Sequence, residues 1–401
     1  MIERRLMPHL RTAAGSFPVV VLTGPRQSGK TTLARATFKD LAYASLEQPD
    51  VRQRAIADAR GFLSDFPDGA IIDEIQRVPE LMSYLQTDVD LFRGKRRWVL
   101  TGSHNLMLLE SVSQSLAGRA GLFTLLPLSN AELADAGRAS EDVWETIWRG
   151  GYPALLETTL NPGQWFGSYV TTYLERDVRE VLGIRDLQLF QTLLGLAATR
   201  TGTVQNTSSL GADVGISHNT AQQWLSVLEA SFVCFRLRPF FRNLGKRLTK
   251  TPKLHFFDSG IVCYLLGIRT PAELRMHPLR GAIFESWVVS EIMKGHLEQA
   301  VIPDLTFYRD QGGSEIDLLV RNGSTTTLVE MKSGQTVAPD AYEVLDKVGA
   351  LLVKRDPLGV SELQRMIVYG GDESVTHLGT QVLPWNRAAR LSWPTRGTSG
   401  R

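Results

Sequence analysis

The stretch Gly24-Pro25-Arg26-Gln27-Ser28-Gly29-Lys30-Thr31 satisfies G-x-x-x-x-G-K-[ST] at every fixed position. It follows an apolar run, Phe17 to Thr23, that reads as a strand, and it opens a helical run from Lys30 to Phe38. Strand, glycine-rich turn and helix in that order make a phosphate cradle. The glycines let backbone N–H groups curl around phosphate oxygens, and the helix N-terminus adds partial positive charge. Lys30 would neutralise the β and γ phosphates, and Thr31 would set its hydroxyl on Mg²⁺. The expected nucleotide-binding residues are therefore Gly24, Pro25, Arg26, Gln27, Ser28, Gly29, Lys30, Thr31 and Thr32.

Further along, Ala70-Ile71-Ile72-Asp73-Glu74 is an apolar strand that delivers two acids. Asp73 is expected in the Mg²⁺ shell with Thr31, and Glu74 as the residue that orients and activates the attacking water. Trp98-Val99-Leu100-Thr101-Gly102-Ser103 is another strand with a polar end. Ser103 or His104 would touch the γ phosphate or the lytic water; a plain polar strand end is the competing reading. Arg119, in Ala117-Gly118-Arg119, is either an arginine finger supplied to a neighbouring subunit or a surface arginine. With Ala42 to Ser45, Gly69 to Asp73, Arg97 to Thr101 and Gly121 to Leu126 as strands between helical stretches, residues 1–130 are expected to form an α/β layer with a mainly parallel sheet.

From Ser129 to about Thr201 the pattern turns helical, with Tyr169 to Leu182 carrying apolar residues at helical spacing. Leu210 to Val214, Gly215, then Ser217 to Ala230 read as helix, turn, helix, with Ser217 as N-cap. Ala221, Trp224, Leu225 and Leu228 would face inward, leaving His218, Asn219, Gln222 and Gln223 outward, where a recognition helix meets base edges. Ala230 to Phe257 then carries Arg236, Arg238, Arg242, Lys246, Arg247, Lys250 and Lys253 with no acid, together with Phe235, Phe240 and Phe241. Basic residues mixed with aromatics suit a DNA-contacting wing. A packing module that binds protein is the alternative.

In the last third, Glu315 to Val320, an Asn322-Gly323 turn and Thr326 to Lys332 give a hairpin. Glu330 and Lys332 share one face of their strand, Asp317 lies on the partner strand, and Glu285 sits upstream on a helix from Gly281 to Lys294.

On these motifs the N-terminal part resembles an AAA+ ATPase. The whole resembles a prokaryotic ATP-binding family that couples an AAA+ module to a C-terminal conserved domain of unknown function. The stretches that carry the likeness are Leu22 to Thr31, Ile72-Asp73-Glu74-Ile75-Gln76, Leu100 to Ser103, Leu116 to Arg119, Tyr173-Leu174-Glu175-Arg176-Asp177-Val178 and Pro252 to Gly260. The resemblance implies Walker A and Walker B motifs, a sensor at Ser103 and an arginine finger at Arg119. His104 departs from the asparagine or serine that often follows the sensor. The hairpin and its acids resemble the PD-(D/E)xK nuclease superfamily. That likeness implies a divalent metal on Asp317 and Glu330, with Glu285 as a further ligand and Lys332 positioning or activating water.

The global numbers bound these readings. A chain of 401 residues, 43% hydrophobic and 21% charged, is long enough for several folded units and too apolar for wholesale disorder. Lys plus Arg number 44 against 42 Asp plus Glu, so a uniformly basic protein is excluded while a local basic patch is not. Cys234 and Cys263 make no disulfide framework and lack zinc spacing. No apolar run approaches the roughly 20 residues of a membrane span, and Met1 to Leu10 has no signal-peptide core, so a cytoplasmic protein with no membrane partner is expected.

The expected architecture is α/β: a P-loop AAA+ core over 1–130, a helical lid over 131–202, a winged-helix-like module over 203–274, a restriction-endonuclease-like α/β domain over 275–385 and a tail over 386–401. The expected function is ATP hydrolysis with Mg²⁺, coupled to a C-terminal module that binds or processes DNA, in a homo-oligomer. A metal-dependent DNA nuclease regulated by ATP and a non-enzymatic protein-interaction platform are the alternatives.

Overall fold

All five residues of Val19–Thr23 are buried, and their side chains alternate between two cores. Val19 and Val21 pack with Ile72, Trp98 and Leu100 on one side. Val20 and Leu22 pack with Leu33, Ile71 and Val99 on the other. A strand that is apolar on both faces belongs inside a parallel sheet covered by helices on each side. In the computed structural model, which describes residues 2–92, 95–103, 115–157, 160–174, 186–240, 251–355 and 362–391, that is where it lies. β1 (Val19–Thr23), β2 (Ala42–Ser45), β3 (Ala70–Asp73), β4 (Trp98–Gly102) and β5 (Ala120–Thr124) pair in the order β2-β3-β4-β1-β5, every pair parallel. β1, β3 and β4 all deliver their C-terminal ends to one rim, so the glycine-rich turn, Asp73 and Ser103 meet there.

Short helices follow β5, at Asn130–Asp135, Val143–Arg149, Ala154–Glu157 and Pro162–Tyr169. The first is fixed by a reciprocal cap: the Ser129 hydroxyl accepts from Glu132 N, and the Glu132 carboxylate accepts from Ser129 N. Of the expected helix from Tyr169 to Leu182, Val170–Leu174 is π-helical and residues 175–182 lie outside the described residues. Glu175, Arg176, Asp177 and Val178 lie outside the described residues, as do His104 and the tail from Ser392 onward.

Next come Leu187–Thr199, β6 (Thr203–Val204), Thr207–Val214, His218–Ala230, β7 (Cys234–Pro239) and β8 (Lys253–Phe256), an order of helix, strand, helix, helix, strand, strand. Ser217 caps the His218–Ala230 helix by accepting from Thr220 N. Ala221, Trp224, Leu225 and Leu228 are buried, while His218, Asn219, Gln222 and Gln223 are exposed. The basic stretch divides. Arg238 is exposed, but Arg236 is paired with Glu229 and Lys253 is fully buried. Phe235 and Phe240 are core residues, not a stacking surface. A wing built of all these residues is thus corrected: the absence of acids within a segment says nothing about acids brought to it by the fold. Phe241, Arg242, Lys246, Arg247 and Lys250 lie outside the described residues.

β9 (Leu305–Arg309), β10 (Glu315–Asn322), β11 (Thr325–Lys332), β12 (Glu362–Tyr369), β13 (Val375–His377) and β14 (Thr380–Pro384) complete a second, mixed sheet in the order β13-β14-β12-β11-β10-β9-β7-β8-β6. The expected hairpin is present, antiparallel, with Asn322 opposite Thr325 and Gly323 at positive φ. β7 pairs in parallel with β9 through Arg238 and Pro239, so one sheet runs across the expected boundary at 274/275. One core does the same. Phe166, Phe190, Trp224, Phe284, Trp287 and Val329 belong to a single buried cluster that joins the helical segment, the β7–β8 region and the C-terminal sheet. The opposite face of that sheet is covered by the Pro339–Arg355 helix through Leu345 and Leu352.

Candidate functional site

The turn after β1 needs its glycines. Gly24 has φ +147, and a Cβ there would stand 2.1 Å from the Leu125 carbonyl oxygen. Gly29 has φ +93 and is the N-cap of the Lys30–Thr37 helix. Gly24→Ala is expected to cost at least about 1–3 kcal/mol of backbone strain. It should lower the thermal unfolding midpoint and abolish nucleotide binding, both readable on the purified variant; an unchanged midpoint would show that the loop can relax. Lys30 is buried, and its Nζ donates to Gly24 O at 3.0 Å and Pro25 O at 2.8 Å. The loop is thus wrapped around the ammonium that would meet phosphate. Among the described residues, Ser28 Oγ is buried with no hydrogen-bond partner, where buried polar groups are normally paired.

Asp73 collects hydroxyls. Thr31 Oγ1 donates to it at 2.9 and 3.1 Å, Tyr43 Oη donates at 2.9 Å, and Thr101 donates from β4. Burial first, and then the adjacent Asp73 charge, pushes the Tyr43 phenol up to about 12, so it stays a donor at neutral pH. Thr31 and Asp73 are the pair expected around Mg²⁺, and they stand in direct contact. Glu74 takes a left-handed conformation, φ 58, that non-glycine residues rarely adopt. Its carboxylate accepts from Gln76 Nε2 and, at 3.3 Å, from Ser103 Oγ, while Gln76 Nε2 also donates to Ser103 Oγ at 3.1 Å. Glu74, Gln76 and Ser103 therefore form a closed triangle at the strand rim. Thr31, Asp73, Glu74 and Ser103 are brought together as the sequence places them.

Arg119 is not brought there. It precedes β5, at the end of the sheet opposite the glycine-rich turn, about 16 Å away at the usual strand rise. Its guanidinium makes a bidentate pair with Asp90 at 2.7 and 2.9 Å, partly exposed.

Sequence reasoning gave no role to Gln76, Tyr43, Thr101 or Arg4. Arg4 is buried; it donates to Glu132 at 2.9 Å, to Ser28 O at 2.8 Å and to Leu126 O at 2.8 Å. It ties the back of the cradle to the segment after β5. A cavity of about 100 Å³ opens beside it, walled by Met7, Ser28, Gly29, Leu33, Leu128 and Pro153. That segment also meets the C-terminal half: Glu291 accepts from Asn130 N at 2.7 Å, and Lys294 donates to Leu128 O at 3.3 Å, both from the Arg280–Glu298 helix.

The second constellation also assembles, with an intruder. Lys332 donates to Glu330 at 2.9 Å, and Asp317 accepts from Met331 N at 2.9 Å. The register of β10 against β9 shifts between Ile316 and Leu319, the stretch that contains Asp317. Glu285 faces the same pocket from its helix, but its partner is Lys253, at 2.8 Å. Burial and then the charge on Asp317 push Glu330 up to about 8, against the pull of Lys332. Burial works to lower Lys253, yet the charges of Glu285, Asp317 and Glu315 overrule it and raise it. Among the described residues, no group of three or more His, Cys, Asp or Glu side chains is arranged to hold a metal ion. Within the expected metal set of Glu285, Asp317 and Glu330, the ammonium of Lys253 stands 2.8 Å from Glu285 and 3.7 Å from Asp317.

Among the described residues, no helix is long and apolar enough to cross a membrane. Comparison with known proteins places an AAA domain over residues 16–134. Residues 140–272 match a domain of unknown function (DUF8612), and residues 280–388 match another (DUF4143). Uncharacterized protein Rv2008c of Mycobacterium tuberculosis (strain ATCC 25618 / H37Rv) is 33% identical over 343 residues, 84% of this chain and 75% of that protein. Uncharacterized protein Mb2031c of Mycobacterium bovis (strain ATCC BAA-935 / AF2122/97) gives the same figures, 33% over 343 residues. Among solved structures, the Walker-type ATPase PABY2304 of Pyrococcus abyssi matches at 15% identity with a TM-score of 0.44, over 66% of this chain and 96% of that one.

Proposed function

The chain belongs to the family of these two mycobacterial proteins, and on that premise we propose that it is an Mg²⁺-dependent ATPase whose nucleotide state is coupled to a C-terminal nucleic-acid-binding module. The observation that carries the ATPase reading is the direct Thr31–Asp73 contact at 2.9 Å beside the Lys30 cradle, with the Glu74–Gln76–Ser103 triangle on the same rim. In this reading Lys30 and the loop amides hold the phosphates, Thr31 and Asp73 hold Mg²⁺, and Glu74 takes the proton of the attacking water. Bound Mg²⁺ would screen the phosphate charge as the bond breaks. The cavity beside Gly29 suits a flat base between Met7, Leu33 and Pro153. Arg119, remote from its own chain's cradle, would serve a neighbouring copy in a homo-oligomer.

The coupling reading is supported by the contacts from Arg4 through residues 128–132 to the Arg280–Glu298 helix. The nucleic-acid reading is supported by the exposed His218, Asn219, Gln222 and Gln223 at the N-terminal half of their helix. It is supported too by a groove beside β7 to which Arg238 and Arg321 contribute.

The test is phosphate release from ATP by the purified full chain, with and without Mg²⁺ and with and without DNA. Mg²⁺-dependent turnover that DNA stimulates, together with DNA binding that weakens steeply with salt, is the expected result. Turnover that no form of DNA alters, with no salt-dependent binding, would favour a protein-interaction platform. No turnover under any condition would remove the ATPase reading.

A further inference from the structure

Lys253 stands at the end of a basic run, yet the fold turns it inward. β8 lies between β6 and β7, and the Lys253 side chain is 1% exposed. Its ammonium reaches three acids from separate places: Glu285 on the Arg280–Glu298 helix at 2.8 Å, Glu315 at the start of β10 at 2.6 Å, and Asp317 further along β10 at 3.7 Å. The ring of Phe307 lies 5.4 Å from the same nitrogen.

A divalent cation among carboxylates wants several oxygens at about 2.0–2.6 Å, converging on one point. Here that point holds an ammonium. Two further oxygens of the cluster are committed elsewhere: Asp317 Oδ2 accepts from Met331 N, and Glu330 Oε1 accepts from Lys332. Among the described residues, Glu330 Oε2 is the one carboxylate oxygen of Glu285, Glu315, Asp317 and Glu330 that is buried without a partner, and a single oxygen flanked by lysines does not make a site for a dication. A dication entering beside a buried ammonium would also be repelled at short range in a medium that screens charge poorly.

We propose that Lys253 is the resident cation of this acid cluster. The C-terminal fold holds its acids with an intramolecular ammonium in place of a divalent metal. The same ion pairs lock β8 to the Arg280–Glu298 helix and to β10. While Lys253 is in place, the cluster has no metal with which to activate water, so the domain works as a metal-independent binding module. A chain that lost Lys253 would uncover a latent cation site.

Mn²⁺ is the probe, read by the electron paramagnetic resonance signal of the free ion. The full chain is used without nucleotide, in an Asp73→Asn background that removes the other cation position. With Lys253 present, no Mn²⁺ dependent on Asp317 should bind tighter than about 10⁻³ M, the weak end of carboxylate sites. Lys253→Met should bind Mn²⁺ about 10-fold tighter or more, and adding Asp317→Asn should abolish it. Lys253→Arg, which keeps the cation, should behave like the parent. Thermal unfolding checks that each variant is folded. Stoichiometric Mn²⁺ on the parent that disappears with Asp317→Asn overturns the proposal, and that arm decides even if Lys253→Met fails to fold. A folded Lys253→Met chain that binds no Mn²⁺ overturns it as well, since the acids would then not be a cation site at all.

Discussion

Lys30→Ala abolishes ATP binding, whereas Glu74→Gln keeps binding and lowers turnover by about 10²–10⁴-fold, the range of a lost general base. The contrast follows from where each side chain stands. Lys30 Nζ lies inside the loop on the carbonyls of Gly24 and Pro25. Removing it takes away both the positive charge the phosphates would meet and the two bonds that keep the loop curled. Glu74 stands at the rim, and its carboxylate accepts from Gln76 and Ser103. Glutamine is isosteric, and its carbonyl oxygen accepts the same hydrogen bonds, so the triangle and the φ of 58 at position 74 are kept. What it lacks is a carboxylate able to take a proton from water. Equilibrium binding of a fluorescent ATP analogue and steady-state phosphate release separate the two variants. Normal turnover in both would sink the assignment of this rim as the hydrolytic centre. Loss of binding in Glu74→Gln would make Glu74 a structural residue of the rim.

The parts of the molecule legible in the sequence are those whose determinants are contiguous. Eight successive residues define the cradle, a four-residue strand delivers Asp73 with Glu74 directly after it, and a two-residue turn sets the β10–β11 hairpin. The binary pattern of His218–Ala230 separates its buried and exposed faces correctly, because helical spacing alone decides them. What could not be read depends on partners brought together by the fold. Lys253 lies 32 residues from Glu285 and stood in a run without acids, so its charge looked free. The acids that neutralise it come from a helix and a strand that follow: the Arg280–Glu298 helix brings Glu285, and the parallel pairing of β7 with β9 brings the β10 acids into the same sheet. Phe235 and Phe240 looked like part of a wing surface for the same reason; the core that covers them is assembled from distant segments. Arg4 carried no motif at all.

Arg4→Met gives the second large effect, this time on stability. The Arg4 guanidinium is buried and makes three directed bonds: Glu132 at 2.9 Å, Ser28 O at 2.8 Å and Leu126 O at 2.8 Å. Glu132 has no exposed side-chain surface, so losing the arginine leaves a buried carboxylate whose remaining donors are the backbone N–H groups of Arg5 and Ser129. Removing one partner of a buried ion pair costs about 3–5 kcal/mol, because the other charge is stranded. The expected result is a fall of several degrees in the unfolding midpoint. ATP affinity should weaken as well, since Ser28 O loses the donor that holds the back of the cradle. Arg4→Lys should rescue little: one ammonium cannot reach a carboxylate and two carbonyls that a planar fork spans. Arg4→Met combined with Glu132→Gln should cost less than the sum of the single changes, because the stranded charge is then gone. In that double variant the midpoint recovers in part while the ATP affinity does not, because Ser28 O still has no donor. A midpoint and an affinity that move together through all three variants would instead make Arg4 a general packing residue, with no separate hold on the phosphate cradle.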